Sequence, residues 1–475
     1  MVDRFRVLLA NFAGVLSGKA IAAVVGLGTM MLLTRHLGPR DFGYYRTVFT
    51  YAAFAAVLAD MGLYMTTLKE MSVPGADTRR VVGTALSLRL MSSIVVILPG
   101  CVLAWAFPYD PVVKWGVLIG AAIFTCIQAS DFMIAVFQRE LKQGRNALAE
   151  VSGAVATFAA VWLLVWVNGR TLSMLVASLL GTALALTISW RLAKRLVPFT
   201  MTIDLRSWKR YLAWGLPIAG SQVLTLCVLR GDSLVLSFYH PASDVGLYGV
   251  STKLLELATS LSFMFGGLMM PSLTCAAARG REEFPRVLGH ALDTAIIYGV
   301  GAVLALAPFA PDVLTLIAGP QFAQGAPALM VISGAVGLTA LSQVLRFSLV
   351  ACERNRWVLQ ADAAACLAGF GTYFALIPRF SIVGAAIGLV VAQASSVLGM
   401  LWGLKRAGVK LPGAANALKA LIAGAVAMAC MEVSDQLDWP WMLSIAMGGV
   451  IYLLGLTLAG AIPVELMSLR GLKPR

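Results

Sequence analysis

Charge is scarce in this chain. Only 13% of its 475 residues are Asp, Glu, Lys or Arg, against roughly 25% in a typical soluble domain. Long polar stretches are missing too. The widest polar gap between apolar runs, at Ala193–Arg210, is about 18 residues, which leaves no room for a soluble catalytic domain. Histidine is nearly absent. His36, His240 and His290 stand too far apart to form a metal-binding pattern. None of the seven cysteines forms a C-x-x-C pair, which argues against a zinc ribbon, a redox dithiol and a disulfide framework. Most of them fall in or beside apolar runs, as small packing residues do. There is no Walker motif. Gly26-x-Gly28 lies within an apolar run and lacks a third glycine, so it is no nucleotide loop.

What the chain has is apolar length. Hydrophobic residues make up 59% of it, and the mean hydropathy is +0.83. A bilayer span needs about 20 mostly apolar residues, and such runs recur from end to end. They predict an all-α integral membrane protein of about 14 transmembrane helices. The expected spans are 12–33, 43–64, 81–107, 112–136, 147–168, 170–191, 211–236, 245–272, 287–309, 322–350, 358–377, 381–404, 412–432 and 439–461. Arg4 and Arg6 precede the first run like the charged start of a signal peptide. The run is long for one and no small-residue cleavage site follows, so it reads as a retained helix.

Charge sets the expected orientation. The chain carries 37 Lys+Arg against 23 Asp+Glu. If the N-terminus is cytoplasmic, only Arg35, Arg40, Arg46, Lys114, Arg170 and Arg379 fall in the opposite loops, and 25 basic residues fall in cytoplasmic segments. Such a bias favours both termini inside. The basic loops carry few aromatics and no nucleic-acid-binding motif, so orientation, not nucleic acid, accounts for the charge. Trp105, Trp115, Trp208, Trp357, Trp439 and Trp441 lie near expected helix ends, where interfacial anchoring explains them.

The chain repeats itself. Residues 33–45 and 236–248 both join one apolar run to the next, and at a fixed offset of 203 they match at Leu33/Leu236, Asp41/Asp244, Gly43/Gly246 and Tyr45/Tyr248. A looser echo links the basic loop 138–146 with 352–356. Six helices separate equivalent elements, so both copies point the same way. That predicts two six-helix lobes related by an axis along the membrane normal. The expected organisation is an N-lobe at 1–192, a linker at 193–210, a C-lobe at 211–405, and a C-terminal helix pair with its tail at 406–475. Small-residue spacings at Gly14/Gly18, Gly116/Gly120 and Gly384/Gly388 suit close helix packing.

The junction Leu32-Leu33-Thr34-Arg35-His36-Leu37-Gly38-Pro39-Arg40-Asp41-Phe42-Gly43-Tyr44-Tyr45 resembles that of Wzx-like polysaccharide-unit flippases. These belong to the multidrug/oligosaccharidyl-lipid/polysaccharide exporter superfamily. Ser243-Asp244-Val245-Gly246-Leu247-Tyr248, Thr252-Lys253-Leu254 and Glu353-Arg354-Asn355-Arg356 carry the same resemblance. It implies a transporter, not an enzyme. The cargo would be an undecaprenyl-diphosphate-linked oligosaccharide for surface polysaccharide such as lipopolysaccharide O-antigen or exopolysaccharide. It would pass from the cytoplasmic to the periplasmic leaflet of a bacterial inner membrane by alternating access around a central cavity. Partners would be the lipid-linked oligosaccharide, membrane lipids and polysaccharide polymerase or assembly proteins. No cofactor is implied beyond a coupling ion, H+ or Na+, of unknown identity. The alternatives are an ion-coupled drug or metabolite antiporter of the same superfamily, and a membrane-embedded polymerase or ligase. Drug antiporters are expected to have twelve helices, and polymerases a long extracytoplasmic loop or clustered acids.

A diphosphate cannot cross hydrocarbon unaided, so cations at membrane depth are the candidates to carry it. Arg would bind it bidentately and Lys as a point charge. Lys19, Arg46, Arg230 and Lys253 are the expected substrate-binding residues. Asp131, Asp232, Glu256, Asp293 and Asp362 are expected to form ion pairs or to couple an ion. Each ionisable group at a helix centre costs about 2.5–3.5 kcal/mol, so few should face lipid. Lys253 and Glu256 are three apart and should pair. Arg230 and Asp232 point about 160° apart and should face different neighbours. Arg89, Lys419 and Asp60, near helix ends, are expected to snorkel. Gly38, Pro39 and Asp41 should form a helix stop and N-cap.

Overall fold

The computed structural model describes residues 2–71, 77–140, 142–279, 283–411, 413 and 415–461; side chains 2–16, 217, 218, 268, 271, 278 and 279 are outside the description. The described residues are almost entirely helical and include no strand. The helices are α1 (Val2–Asp60), α2 (Leu63–Met71), α3 (Thr78–Ala106), α4 (Pro111–Arg139), α5 (Gln143–Trp166), α6 (Thr171–Leu196), α7 (Leu205–Tyr239), α8 (Ala242–Arg279), α9 (Glu283–Leu306), α10 (Ala310–Ala318), α11 (Ala326–Ala351), α12 (Asn355–Arg406), α13 (Ala415–Gln436) and α14 (Trp441–Leu458). Among the described residues, eleven helical stretches are long and apolar enough to cross a membrane.

Two of those stretches, of 55 and 52 residues, are far longer than one bilayer crossing requires. Each contains a break. In α1 the break is Gly38 (φ 71°, ψ 177°), followed by Pro39. Glycine adopts this backbone without a Cβ clash. Proline fits the first turn after a break, where its missing N–H costs nothing. Asp41 lies within the helix that follows, so the chain turns at Gly38 and no separate turn with an Asp cap forms. In α12 the break is Ser381 (φ 46°, ψ −124°), three residues after Pro378. The expected spans 12–33 and 43–64 thus join through one residue, as do 358–377 and 381–404. Two short helices, α2 and α10, fill loops where no element was expected.

The chain divides into two compact units. One comprises 1–226 with 241–246, the other 227–240 with 247–475. Residues 193–210, expected as a linker, lie inside the first unit. Asp204 explains why they hold to it. Its carboxylate accepts from the backbone N–H groups of Arg206 (3.1 Å) and Ser207 (3.3 Å) at the start of α7. It also accepts from the Arg80 guanidinium of α3 at 3.1 Å. Ser87 Oγ donates to the Thr202 carbonyl at 2.6 Å, and Trp208 Nε1 to that of Thr84 at 3.2 Å.

Small residues set the close approaches. A Cβ on Gly116 or Gly120 would lie 2.7 Å from the Val48 side chain, so these two glycines bring α4 against α1. Gly18 meets Ala147 of α5 in the same way, at 2.6 Å. Within α12, Gly384 and Gly388 let the second segment fold back on the first, against Leu376 and Tyr373.

Each unit ties its helix junctions with one histidine. His36 donates from Nε2 to the carbonyl of Gly169 at 2.9 Å, in the α5–α6 turn. His240 donates to the carbonyl of Ile377 at 2.8 Å, just before the α12 break. Helix breaks leave carbonyls without intrahelical partners, and in each unit an imidazole N–H satisfies one. α13 and α14 pack on α9 around Ala427, Met431, Tyr452 and Leu456.

Candidate functional site

Arg230 of α7, and Lys253 and Glu256 of α8, form one constellation in the second unit. Arg230 Nη2 lies 3.0 Å from Glu256 Oε1, and Lys253 Nζ lies 3.0 Å from Glu256 Oε2. The lysine reaches its partner within its own helix, one turn away, and the arginine crosses from the neighbouring helix. One carboxylate therefore holds two cations, and the triad keeps a formal surplus of one positive charge. The three side chains are 31%, 38% and 27% exposed. They are not sealed in the core.

Asp232 sits on the opposite side of α7, as the helical phase requires. It is fully buried and accepts from the Tyr248 hydroxyl at 2.6 Å. Asp362 is buried as well. It receives a two-pronged bond from Arg346 of α11, with Nη1–Oδ2 at 2.7 Å and Nη2–Oδ1 at 2.8 Å. Asp293 of α9 accepts from the Asn416 amide of α13 at 2.8 Å. These three acids each bind a different helix or tyrosine and do not converge.

Lys19 and Asp131 meet in the first unit. Both line a cavity of about 680 Å³ enclosed by α1, α2, α4, α5 and α6, together with Glu150. Arg46 is half-buried beside Tyr45, after the α1 break. The structure brings Arg230 and Lys253 together and places Lys19 and Arg46 in other surroundings. Sequence spacing shows the Lys253–Glu256 pair; it does not show the cross-helix Arg230 bond.

Two expected snorkelling residues do not snorkel. Arg89 is 2% exposed, and its Nη1 lies 2.6 Å from Asp60 Oδ1. Arg89 Nη2 also donates to Gln128 Oε1 at 3.1 Å. A buried guanidinium needs partners, and here Asp60 at the end of α1 and Gln128 within α4 supply them. Lys419 of α13 is half-buried. Among the described residues, no three His, Cys, Asp or Glu side chains are placed to hold a metal ion.

The fold has known counterparts. A lipid II flippase MurJ in an inward closed conformation matches with a TM-score of 0.79 at 12% identity, over 95% of this chain and 99% of that one. An inward-facing multidrug resistance MATE family transporter of the MOP superfamily matches with 0.65 at 16%, over 82% and 94%. An outward-facing MATE structure matches with 0.58 at 15%, over 85% and 95%. No curated protein sequence matches. Eleven apolar stretches and this architecture define a multi-pass helical membrane protein with the MurJ/MATE transporter fold. More particularly, the chain belongs to the polysaccharide biosynthesis protein family, whose sequence model matches residues 8–274. This is the kinship that the 32–45 junction resembles.

Proposed function

We propose that the protein flips an undecaprenyl-diphosphate-linked oligosaccharide from the cytoplasmic to the periplasmic leaflet of a bacterial inner membrane, with both termini cytoplasmic. The observation that carries this reading is the Arg230–Glu256–Lys253 triad. Its surplus positive charge suits a diphosphate, and Glu256 holds the two cations in place until phosphate oxygens displace it. The guanidinium then offers a bidentate fork and the ammonium a movable point charge. Arg46 is a further cation for the path, and Lys19 contacts the cargo from the first unit. Transport proceeds by alternating access and draws on an H+ or Na+ gradient through the buried acids. A polysaccharide polymerase acts on the delivered unit.

The test is mass analysis of lipid-linked intermediates in a deletion strain. We expect an undecaprenyl-diphosphate oligosaccharide to accumulate on the cytoplasmic leaflet. Arg230→Ala and Lys253→Ala should each stop export while the protein stays in the membrane, and Arg230→Lys should restore part of it. Normal surface polysaccharide in both alanine variants would remove the triad from the mechanism.

The MATE likenesses favour a second reading, a drug or metabolite antiporter. It fits less of the molecule, since those matches leave more of this chain uncovered than the MurJ match does. A deletion strain that became drug-sensitive with unchanged surface glycan would favour it.

A further inference from the structure

The cavity in the first unit has a chemistry unlike that of the triad. Lys19, Asp131 and Glu150 are all accessible, yet all belong to apolar helices. Facing lipid is costly for such groups, by about 2.5–3.5 kcal/mol at a helix centre. Lining a common cavity resolves this. Its volume of about 680 Å³ falls in the range of small-molecule pockets.

The wall is rich in groups that both donate and accept. Gln138, Gln143 and Asn146 contribute three amides around the α4–α5 turn. The Tyr64 hydroxyl donates to Gln138 Oε1, which fixes that amide and turns its NH2 group free to donate. Asp131 and Glu150 supply carboxylate acceptors. With Lys19, the three ionised groups sum to a single negative charge. Among the described residues, no ion pair ties Lys19, Asp131 or Glu150.

That balance excludes the diphosphate. An anion entering here meets two carboxylates against one ammonium. What the wall matches is an uncharged or cationic polyol, whose hydroxyls take carboxylate and amide partners at once. We propose that this cavity is a carbohydrate subsite that binds a neutral or amino sugar of the cargo and rejects acidic sugars. The assignment rests on the flippase reading and deepens it: one unit reads sugar, and the Arg230–Glu256–Lys253 triad takes phosphate.

The experiment uses the purified full-length protein in nanodiscs and thermal shift with three separate probes. These are N-acetylglucosamine, glucuronic acid and inorganic pyrophosphate. N-acetylglucosamine should raise the melting temperature of the wild type, and glucuronic acid should not. Asn146→Ala, which loses a neutral amide bond, and Glu150→Gln, which loses the charge on its acceptor, should each weaken the N-acetylglucosamine response by up to about tenfold. Both should leave the pyrophosphate response intact, which also shows that the variants are folded. Glu150→Lys should admit glucuronic acid. No N-acetylglucosamine response, or one unchanged in Asn146→Ala and Glu150→Gln, would overturn the subsite. Loss of only the pyrophosphate response, or its indifference to Arg230→Ala, counts against the flippase reading and leaves the sugar assignment standing.

Discussion

Gly43 and Gly246 occupy equivalent positions in the two copies of the repeat, and each is pressed against the other copy's junction. A Cβ on Gly43 would overlap the Ala242 carbonyl oxygen, and a Cβ on Gly246 would overlap the Pro39 carbonyl oxygen. At the offset of 203, Pro39 and Ala242 are themselves equivalent. The contact is therefore reciprocal, backbone against backbone, and only glycine permits it.

Gly43→Ala and Gly246→Ala should therefore each destabilise the protein by about 1–3 kcal/mol, the usual cost of overpacking a close contact. Gly371→Ala is the control, because nothing lies within 4 Å of its absent Cβ. That change should be neutral or slightly stabilising, by lowering unfolded-chain entropy and improving helix propensity. Thermal unfolding in detergent measures all three. Equal melting temperatures for Gly43→Ala and Gly371→Ala would remove the packing argument.

The Arg230–Glu256 pair should contribute little to stability. Both side chains are about a third exposed, and pairs of that kind give roughly 0.2–1 kcal/mol. A double-mutant cycle with Arg230→Ala and Glu256→Ala should therefore show coupling below about 1 kcal/mol in unfolding. Export should fall steeply with Arg230→Ala. A large coupling in unfolding would recast the pair as structural.

Much of this architecture is legible in the sequence, because membrane helices announce themselves by apolar length. The span limits fail where length alone cannot speak. Apolar periodicity marks where a helix leaves the membrane, not whether it stops, so α1 and α12 run on through Gly38 and Ser381. α2 and α10 are too short to register as spans. For the site, local spacing reveals the i,i+3 pair of Lys253 and Glu256. Arg89 with Asp60, Arg346 with Asp362, and Lys19 with Asp131 come together only through tertiary packing. No pattern along the chain encodes which helix face meets which. Charge at membrane depth flags the residues without naming their partners.

Asp204 makes the first turn of α7 sensitive to acid. Bonds from the Ser207 hydroxyl and backbone N–H, with Arg80 and the Arg206 N–H, hold its carboxyl below the usual carboxylate range. A depressed folded-state value stabilises the cap above the unfolded-state pKa, near 3.9. That contribution fades as pH falls through the ordinary range and is gone below the folded value. Amide exchange protection at Arg206 and Ser207 should be flat near neutrality and drop only in that acidic window. Asp204→Asn should keep the cap, since asparagine serves this position well, and lose the pH dependence. The same acid transition in Asp204→Asn would assign it to another group.

Arg346 and Asp362 test the cost of a buried charge. The carboxylate is 2% exposed and receives two guanidinium bonds of 2.7 and 2.8 Å. Removing one partner strands the other charge among apolar helices, which costs about 3–5 kcal/mol. Arg346→Met and Asp362→Leu alone should each lower the folded yield and melting temperature sharply. The double variant should recover most of the loss, because no charge is left unpaired and the volume is kept. Recovery of stability without recovery of export would give the pair a part in transport beyond holding α11 to α12. Recovery of both would leave it a purely structural tie.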